Sequence, residues 1–243
     1  MRETGARADE LAANLARVEE RVRTACEAAG RARSEVRLVV VSKTYPAEDV
    51  RRLAELGVRE FAENRDQEAA EKAASCADLS LVWHFVGQLQ TNKVRSVVDY
   101  ADYVHSVDRI KLVNALSAAV RRRERPSLNC LIQVALEKES GEGEGRGGAA
   151  PAEVGALARA VADAPGLRLA GLMTVAPLSG SFAGRPAAAF DRLIEISRDL
   201  RAADAAANMV SAGMSADLEE AIAAGATHVR VGSAVLGVRP ALG

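Results

Sequence analysis

The sequence lacks an excess of charge of either sign. Its 32 Lys and Arg residues are balanced by 33 Asp and Glu, for a formal net charge of −1. No general basic field is available to hold nucleic acid, so that class of partner is excluded. Cysteines are few and do not pair by pattern: Cys26, Cys76 and Cys130 form an odd set without a CxxC motif. That argues against a disulfide framework and a zinc site, and it fits a reducing compartment. Long apolar runs are missing as well. The N-terminus has no signal-peptide core, and no stretch is long enough to cross a bilayer. A cytoplasmic protein with no membrane partner is expected.

What is present fits a soluble globular protein: 243 residues, 49% apolar and 27% charged. There is no internal repeat and no composition break, so residues 1–243 are expected to form one domain. Leu11, Leu15, Val18, Val22 and Cys26 recur at helical spacing, and Gly30 closes a helix over 6–29. After it, strands and helices alternate. Strands are expected at 37–42, 58–61, 81–86, 102–105, 128–135, 167–172, 208–211 and 227–231. Helices are expected at 46–56, 64–76, 91–98, 108–122, 151–163, 186–204 and 215–224. Eight strands alternating with helices point to a (β/α)8 TIM barrel over 36–237, with a doubly wound open sheet as the alternative. The extra N-terminal helix would plug or flank one end. The glycine-rich, charged loop at 137–150 could serve as a lid or as a plain connection. The basic run Arg121–Arg125 at a helix end offsets the helix dipole.

In such a barrel, chemistry gathers where the strands end. The first strand, Val39-Val40-Val41, runs into Ser42-Lys43, and Pro46 reads as a first helical turn. A lysine there either snorkels out of the mouth or stands desolvated, as an amine able to form a Schiff base with an aldehyde. Ser211-Ala212-Gly213-Met214-Ser215 runs from the seventh strand towards a helix, with Ser215 as a plausible N-cap. Gly232-Ser233 follows the eighth. Loops after the last two strands often bind phosphate in this fold, although Asp217, Glu219 and Glu220 would compete with an anion. On His228-Val229-Arg230-Val231, alternation turns His228 and Arg230 into the barrel. A buried guanidinium needs an acceptor. Glu63 could supply it, and so could the ring nitrogen of a cofactor. An aldehyde-reactive lysine, a phosphate cradle and an inward arginine match the three functional groups of pyridoxal 5′-phosphate (PLP).

The combined motifs resemble those of the pyridoxal phosphate homeostasis (PLP-binding) proteins, whose fold is that of the alanine racemase N-terminal domain. They are Val41-Ser42-Lys43-Thr44, Glu63-Asn64-Arg65, Trp83 to Lys93, His105-Ser106-Val107-Asp108, Gly171-Leu172-Met173-Thr174, Gly213-Met214-Ser215-Ala216-Asp217 and Arg230-Val231-Gly232-Ser233. The resemblance implies a cofactor carried by Lys43 as an internal aldimine, with Arg230 at the pyridine nitrogen and Asn64 nearby. It implies phosphate contacts from Ser211, Met214, Ser215, Gly232 and Ser233, and it places His84 and Asn92 at the mouth. Three positions depart from the usual pattern: Gln133-Val134-Ala135 lacks an Asn, Ala212 replaces a Met, and Ser233 stands where Thr is frequent.

An arginine at the ring nitrogen keeps the ring neutral and a poor electron sink. The expectation is therefore a PLP carrier or buffer, with apo PLP enzymes as possible recipients, and the resemblance implies a monomer. A PLP-dependent racemase using Tyr45, His84 or Lys93 as second base is the main alternative. A Schiff-base aldolase without PLP and an interaction module using the 137–150 loop are further ones.

Overall fold

The computed structural model describes residues 2–137 and 147–237. A long helix α1 (Arg2–Ala28) comes first, then eight strand–helix units. The strands are β1 (Arg37–Val41), β2 (Glu60–Glu63), β3 (Val82–Phe85), β4 (Tyr103–Val107), β5 (Leu128–Gln133), β6 (Leu167–Met173), β7 (Met209–Ser211) and β8 (His228–Val231). Between them run α2 (Ala47–Glu55), α3 (Asp66–Ser75), α4 (Val94–Tyr100), α5 (Ile110–Arg122), α6 (Val154–Asp163), α7 (Pro186–Ala203) and α8 (Leu218–Ala224). A short α9 (Ser233–Leu236) follows β8.

The strands pair in chain order and close, with β8 parallel to β1 through Arg37–His228 and Val40–Val231. Closure makes this the expected (β/α)8 barrel and rules out the open doubly wound sheet. All eight expected strands form, with ends shifted by one or two residues. Pro46 caps α2 rather than occupying its first turn, because its ψ of 161° is extended.

Alternation along each strand sorts the side chains. Outward residues such as Val40, Phe61, Trp83, Val229 and Val231 pack against helices in one apolar cluster. Val104, Cys130, Ile132 and Val210 build a second, on the other side of the barrel. Helix α1 flanks the barrel and does not plug it. Its stripe of Leu11, Leu15, Val18, Val22 and Cys26 is buried with Leu218 and Ile222 of α8 and Val235 and Leu236 of α9. Asn14 Nδ2 reinforces this by donating to the Val235 carbonyl at 3.0 Å.

The barrel interior departs from the aliphatic filling usual in this fold. Leu131, Met173 and Met209 form only a small apolar cluster there. The inward positions beside them carry Glu60, His84, His105, Ser211, His228 and Arg230. Among the described residues, no helix is long and apolar enough to cross a membrane.

Candidate functional site

Lys43 lies two residues beyond β1. Alternation puts Val39, Val41 and Lys43 on the inward side, with Val40 and Ser42 outward. The side chain is half-buried and has no hydrogen bond or ion pair among the described residues. Its neighbours, in contrast, are held tightly. Ser42 Oγ donates to Glu63 Oε1 at 2.7 Å, and the Ser42 carbonyl accepts from Lys72 Nζ at 2.7 Å. Lys72 also pairs with Glu63 at 2.5 Å and Glu68 at 3.1 Å. The Thr44 N–H donates to Glu68 Oε1. Thr44 has a φ of 69°, in the left-handed region that a β-branched residue enters only when its surroundings compel it. The Lys72 cluster supplies that constraint. Lys72 is only 5% exposed, and burial pushes the Glu63 carboxyl up despite the pairing.

The cluster overturns one sequence expectation. Glu63 is committed to Ser42 and Lys72 on the outward side of the barrel, so it is not the partner of Arg230. Arg230 is inward, as alternation requires. It donates to Ser211 Oγ at 2.6 Å and to the Thr174 carbonyl at 2.9 Å. No carboxylate lies within ion-pair distance of it among the described residues. Burial lowers its pKa to about 10, with Asp217 opposing that effect from a distance. The remaining N–H groups of the fork stay available to a ligand.

The loops after β7 and β8 flank this arginine. Gly213 has a φ of 87°, and a Cβ there would meet Ala221 Cβ at 2.6 Å, so only glycine fits. Its carbonyl accepts the Arg230 N–H at 2.9 Å. Ser215 is not the N-cap of α8. Asp217 holds that place, and its buried Oδ1 takes the Met214 N–H at 2.6 Å. The Ser215 carbonyl accepts from Arg21 of α1 at 3.0 Å, which ties the loop to the flanking helix. The N–H groups of Gly213, Ser215 and Ala216 have no acceptor among the described residues. Gly232 lies beside the end of β1, where a Cβ would stand 3.3 Å from the Val41 carbonyl oxygen. Ser233 is exposed.

Asn64 follows β2 on the inward side. Its Oδ1 is buried without a hydrogen-bond partner. The end of β3 closes against it, since a Cβ on Gly87 would fall 2.2 Å from the Asn64 carbonyl oxygen. A cleft of about 560 Å³ opens here, lined by Asn64, Gln88, Gln90 and Lys93 among others. His84 was expected at the mouth but lies inside the barrel, 1% exposed, because its place in the middle of β3 sets its depth. Asn92 is exposed on the loop before α4. The Tyr45 hydroxyl donates to the Gly237 carbonyl at 2.7 Å, in the layer between helices and barrel. The loop at 137–150, expected as a lid or a plain connection, falls mostly on residues 138–146, outside the described residues. Its far end is anchored, with Gln133 Nε2 donating to the Gly147 carbonyl and the Ala149 N–H to the Gln133 carbonyl.

Two groups were not anticipated. Lys72 could have been suspected from its place on the buried stripe of α3 between Ala69 and Ala73. The other is a run of hydrogen bonds inside the barrel: His84 Nδ1 to His105 Nε2 at 2.9 Å, and His105 Nδ1 to Ser211 Oγ at 3.1 Å. It had no signal in the sequence, because its members come from three strands.

A fit can be tested on these groups. An unpaired amine, a buried arginine with spare donors, an orphaned amide oxygen and unpaired backbone N–H groups beside glycines suit a ligand with an aldehyde, a ring nitrogen and a phosphate. The occupied Met214 N–H and the nearby Asp217 are the features that oppose it.

Comparison with known proteins gives the same grouping. Residues 13–240 match the model of the alanine racemase N-terminal domain. The pyridoxal phosphate homeostasis protein of Pseudomonas aeruginosa is 45% identical over 229 residues, covering 94% of this chain and 96% of that protein. Its namesake in Escherichia coli K12 is 37% identical over 241 residues, covering 95% and 97%. PipY of Synechococcus elongatus PCC7942, whose structure was determined with PLP bound, superposes with a TM-score of 0.78 at 32% identity, covering 93% of this chain and all of PipY. A barrel with these motifs at its mouth, matched over nearly its whole length, thus belongs to the alanine racemase N-terminal domain family and, within it, to the pyridoxal phosphate homeostasis proteins.

Proposed function

We propose that this chain binds PLP reversibly through the Nζ of Lys43, holds it in the cell as a carrier or buffer, and releases it to apo PLP enzymes. The observation that carries the reading is the contrast at the mouth. The Lys43 side chain has no partner among the described residues, while the flanking Ser42 hydroxyl, Ser42 carbonyl and Thr44 N–H are all bonded. An amine held by no ion pair or hydrogen bond is free to meet an incoming aldehyde. PLP supplies an aldehyde that condenses with such an amine. Arg230 donates to the ring nitrogen and, keeping its own proton, leaves the ring a weak electron sink. Asn64 offers its orphaned Oδ1 to the ring's polar edge. The Gly213–Ser215 and Gly232–Ser233 loops hold the phosphate through backbone N–H groups and the Ser215 and Ser233 hydroxyls, whereas the Ser211 hydroxyl, expected among the phosphate contacts, is committed to Arg230 and His105. Contact with the Met214 N–H requires Asp217 to let it go. PLP bound to PipY and the names of the two bacterial relatives support this assignment. The chain works in the cytoplasm as a monomer.

Little favours the racemase alternative. Inversion needs a second acid or base, yet Tyr45 is bonded to Gly237 and His84 is sealed inside the barrel, which leaves only Lys93, exposed on the cleft beside Asn64, of the three candidates. Two measurements test the proposal. Purified protein mixed with PLP should show the absorbance of a lysine-bound cofactor, and Lys43→Ala should lose it. An amino acid incubated with the PLP-loaded protein in deuterated water should exchange its α-proton no faster than with free PLP. Exchange at catalytic rates would make the chain an enzyme. A protein that stays colourless would remove PLP from the reading.

A further inference from the structure

The chain has three histidines, and all three point into the barrel. Two of them lie in a line of polar contacts that runs through the barrel, hydrogen-bonded at every link except the one to Glu60. It starts at Glu60, the first residue of β2, at the end opposite the candidate site. Glu60 Oε2 lies 3.2 Å from His84 Nε2, close but poorly aligned, so this is the loosest link. His84 Nδ1 meets His105 Nε2 at 2.9 Å, and His105 Nδ1 meets Ser211 Oγ at 3.1 Å. Ser211 Oγ accepts from Arg230 at 2.6 Å.

The two ends set the direction. A guanidinium only donates and a carboxylate only accepts. With neutral rings, Arg230 donates to Ser211, Ser211 to His105 Nδ1 and His105 Nε2–H to His84 Nδ1, which leaves His84 Nε2–H facing Glu60 Oε2 across the loose 3.2 Å contact. Every ring nitrogen then has one role. Burial and the neighbouring positive groups hold His105 well below the usual imidazole range, which keeps it neutral. Chains of this kind polarise each link in turn, more strongly at low dielectric.

We propose that Glu60 is the counter-charge of Arg230. Acting through His84, His105 and Ser211, it is a positioning residue that aims the guanidinium and limits how much positive charge it presents to the ring of a bound cofactor. The chain explains how a buried arginine survives without a carboxylate beside it. Other charged or titratable groups face the line. Arg37 on β1 and His228 on β8 approach Glu60, with His228 Nε2 at 3.9 Å. Tyr103 of β4 stacks on His84 with ring centroids 4.7 Å apart, and Asp217 acts on Arg230 from the loop after β7. None of these bridges the two ends.

The inference rests on Arg230 facing the cofactor, so its test is built to separate the two failures. The first readout needs no cofactor. Nitrogen-15 NMR of the apo protein should show His84 and His105 as Nε2–H tautomers at neutral pH. In Glu60→Gln their Nε2–H signals should shift and the melting temperature should fall, since the buried arginine loses its counter-charge. A proton on His105 Nδ1 would overturn the direction of the chain, and with it the proposal. The second readout is the pH midpoint of the absorbance of PLP-loaded protein. Glu60→Gln leaves more positive charge on Arg230 and should lower that midpoint by about half a unit. Glu60→Asp should restore part of it. In a Ser211→Ala background, where the line is cut, Glu60→Gln should cause no further shift. An equal shift in both backgrounds would mean that Glu60 acts through space, and the relay would be refuted. Wild-type protein whose Lys43 takes up no PLP would instead refute the binding reading, leaving the NMR result to decide the relay alone.

Discussion

At the scale of single residues, Lys43 and Arg230 were legible because each breaks a simple pattern. A lysine ending a β-branched strand and an arginine on the inward phase of a strand are both conspicuous. Their partners were not legible. Glu63 stood out as polar at a strand end, but only the folded barrel shows it turned outward to Lys72. That buried pair makes a prediction. Lys72→Met strands the Glu63 carboxylate and should cost about 3 kcal/mol of stability in urea unfolding. Glu63→Gln in the same chain should recover much of it. Lys72→Met should also slow PLP capture, because Thr44 loses the clamp that holds its left-handed backbone. A variant as stable as wild type would show that the pair contributes little.

At the scale of elements, periodicity located all eight strands and every α-helix but the short α9, while ends and caps escaped it. The end of α8 is the useful case. Ser215 looks like an N-cap by residue type, yet the chain turns two residues later, at Asp217, because Gly213 adopts a positive φ and folds the loop against Ala221. Residue type ranks candidate caps, but the loop geometry selects among them. Gly213→Ala should therefore destabilise the protein by about 1–3 kcal/mol and weaken phosphate binding more than it alters the Lys43 linkage. Calorimetry and titration with inorganic phosphate would check both effects. Unchanged phosphate affinity would argue against a role for this loop. The flanking position of α1 was likewise open in the sequence. Its apolar stripe said that it packs, but not that α8 and α9 receive it.

At the scale of the whole molecule, the barrel carries its polar groups inside and most of its apolar packing between strands and helices. The closed topology followed from the count and alternation of elements. The polar interior did not, because hydrogen bonds between strands distant in sequence leave no local trace. It has a consequence for pH. His228 is held at about 4 and His105 well below its ordinary value, in both cases chiefly by burial. Below the unfolded value of about 6.5 the unfolded chain binds protons that the native barrel refuses. Stability should therefore fall as pH drops from about 6.5 towards 4, by about 1.4 kcal/mol per pH unit for each of these two histidines. Glu60 acts in the same direction at lower pH. Burial raises its pKa, but its contacts with His84, His228 and Arg37 bring it below the ordinary value, so its contribution is lost as pH falls through the folded pKa. Replacing His228 should flatten the profile between pH 6 and 4 in thermal unfolding, and an unchanged slope would contradict this.

One measurement bears most directly on the whole reading. The protein is loaded with PLP, reduced with borohydride, digested, and mapped by mass spectrometry. A pyridoxyl phosphate adduct on Lys43, absent from Lys43→Ala, is the predicted result. An adduct on Lys72, Lys93 or scattered surface lysines, with Lys43 unmodified, would contradict it.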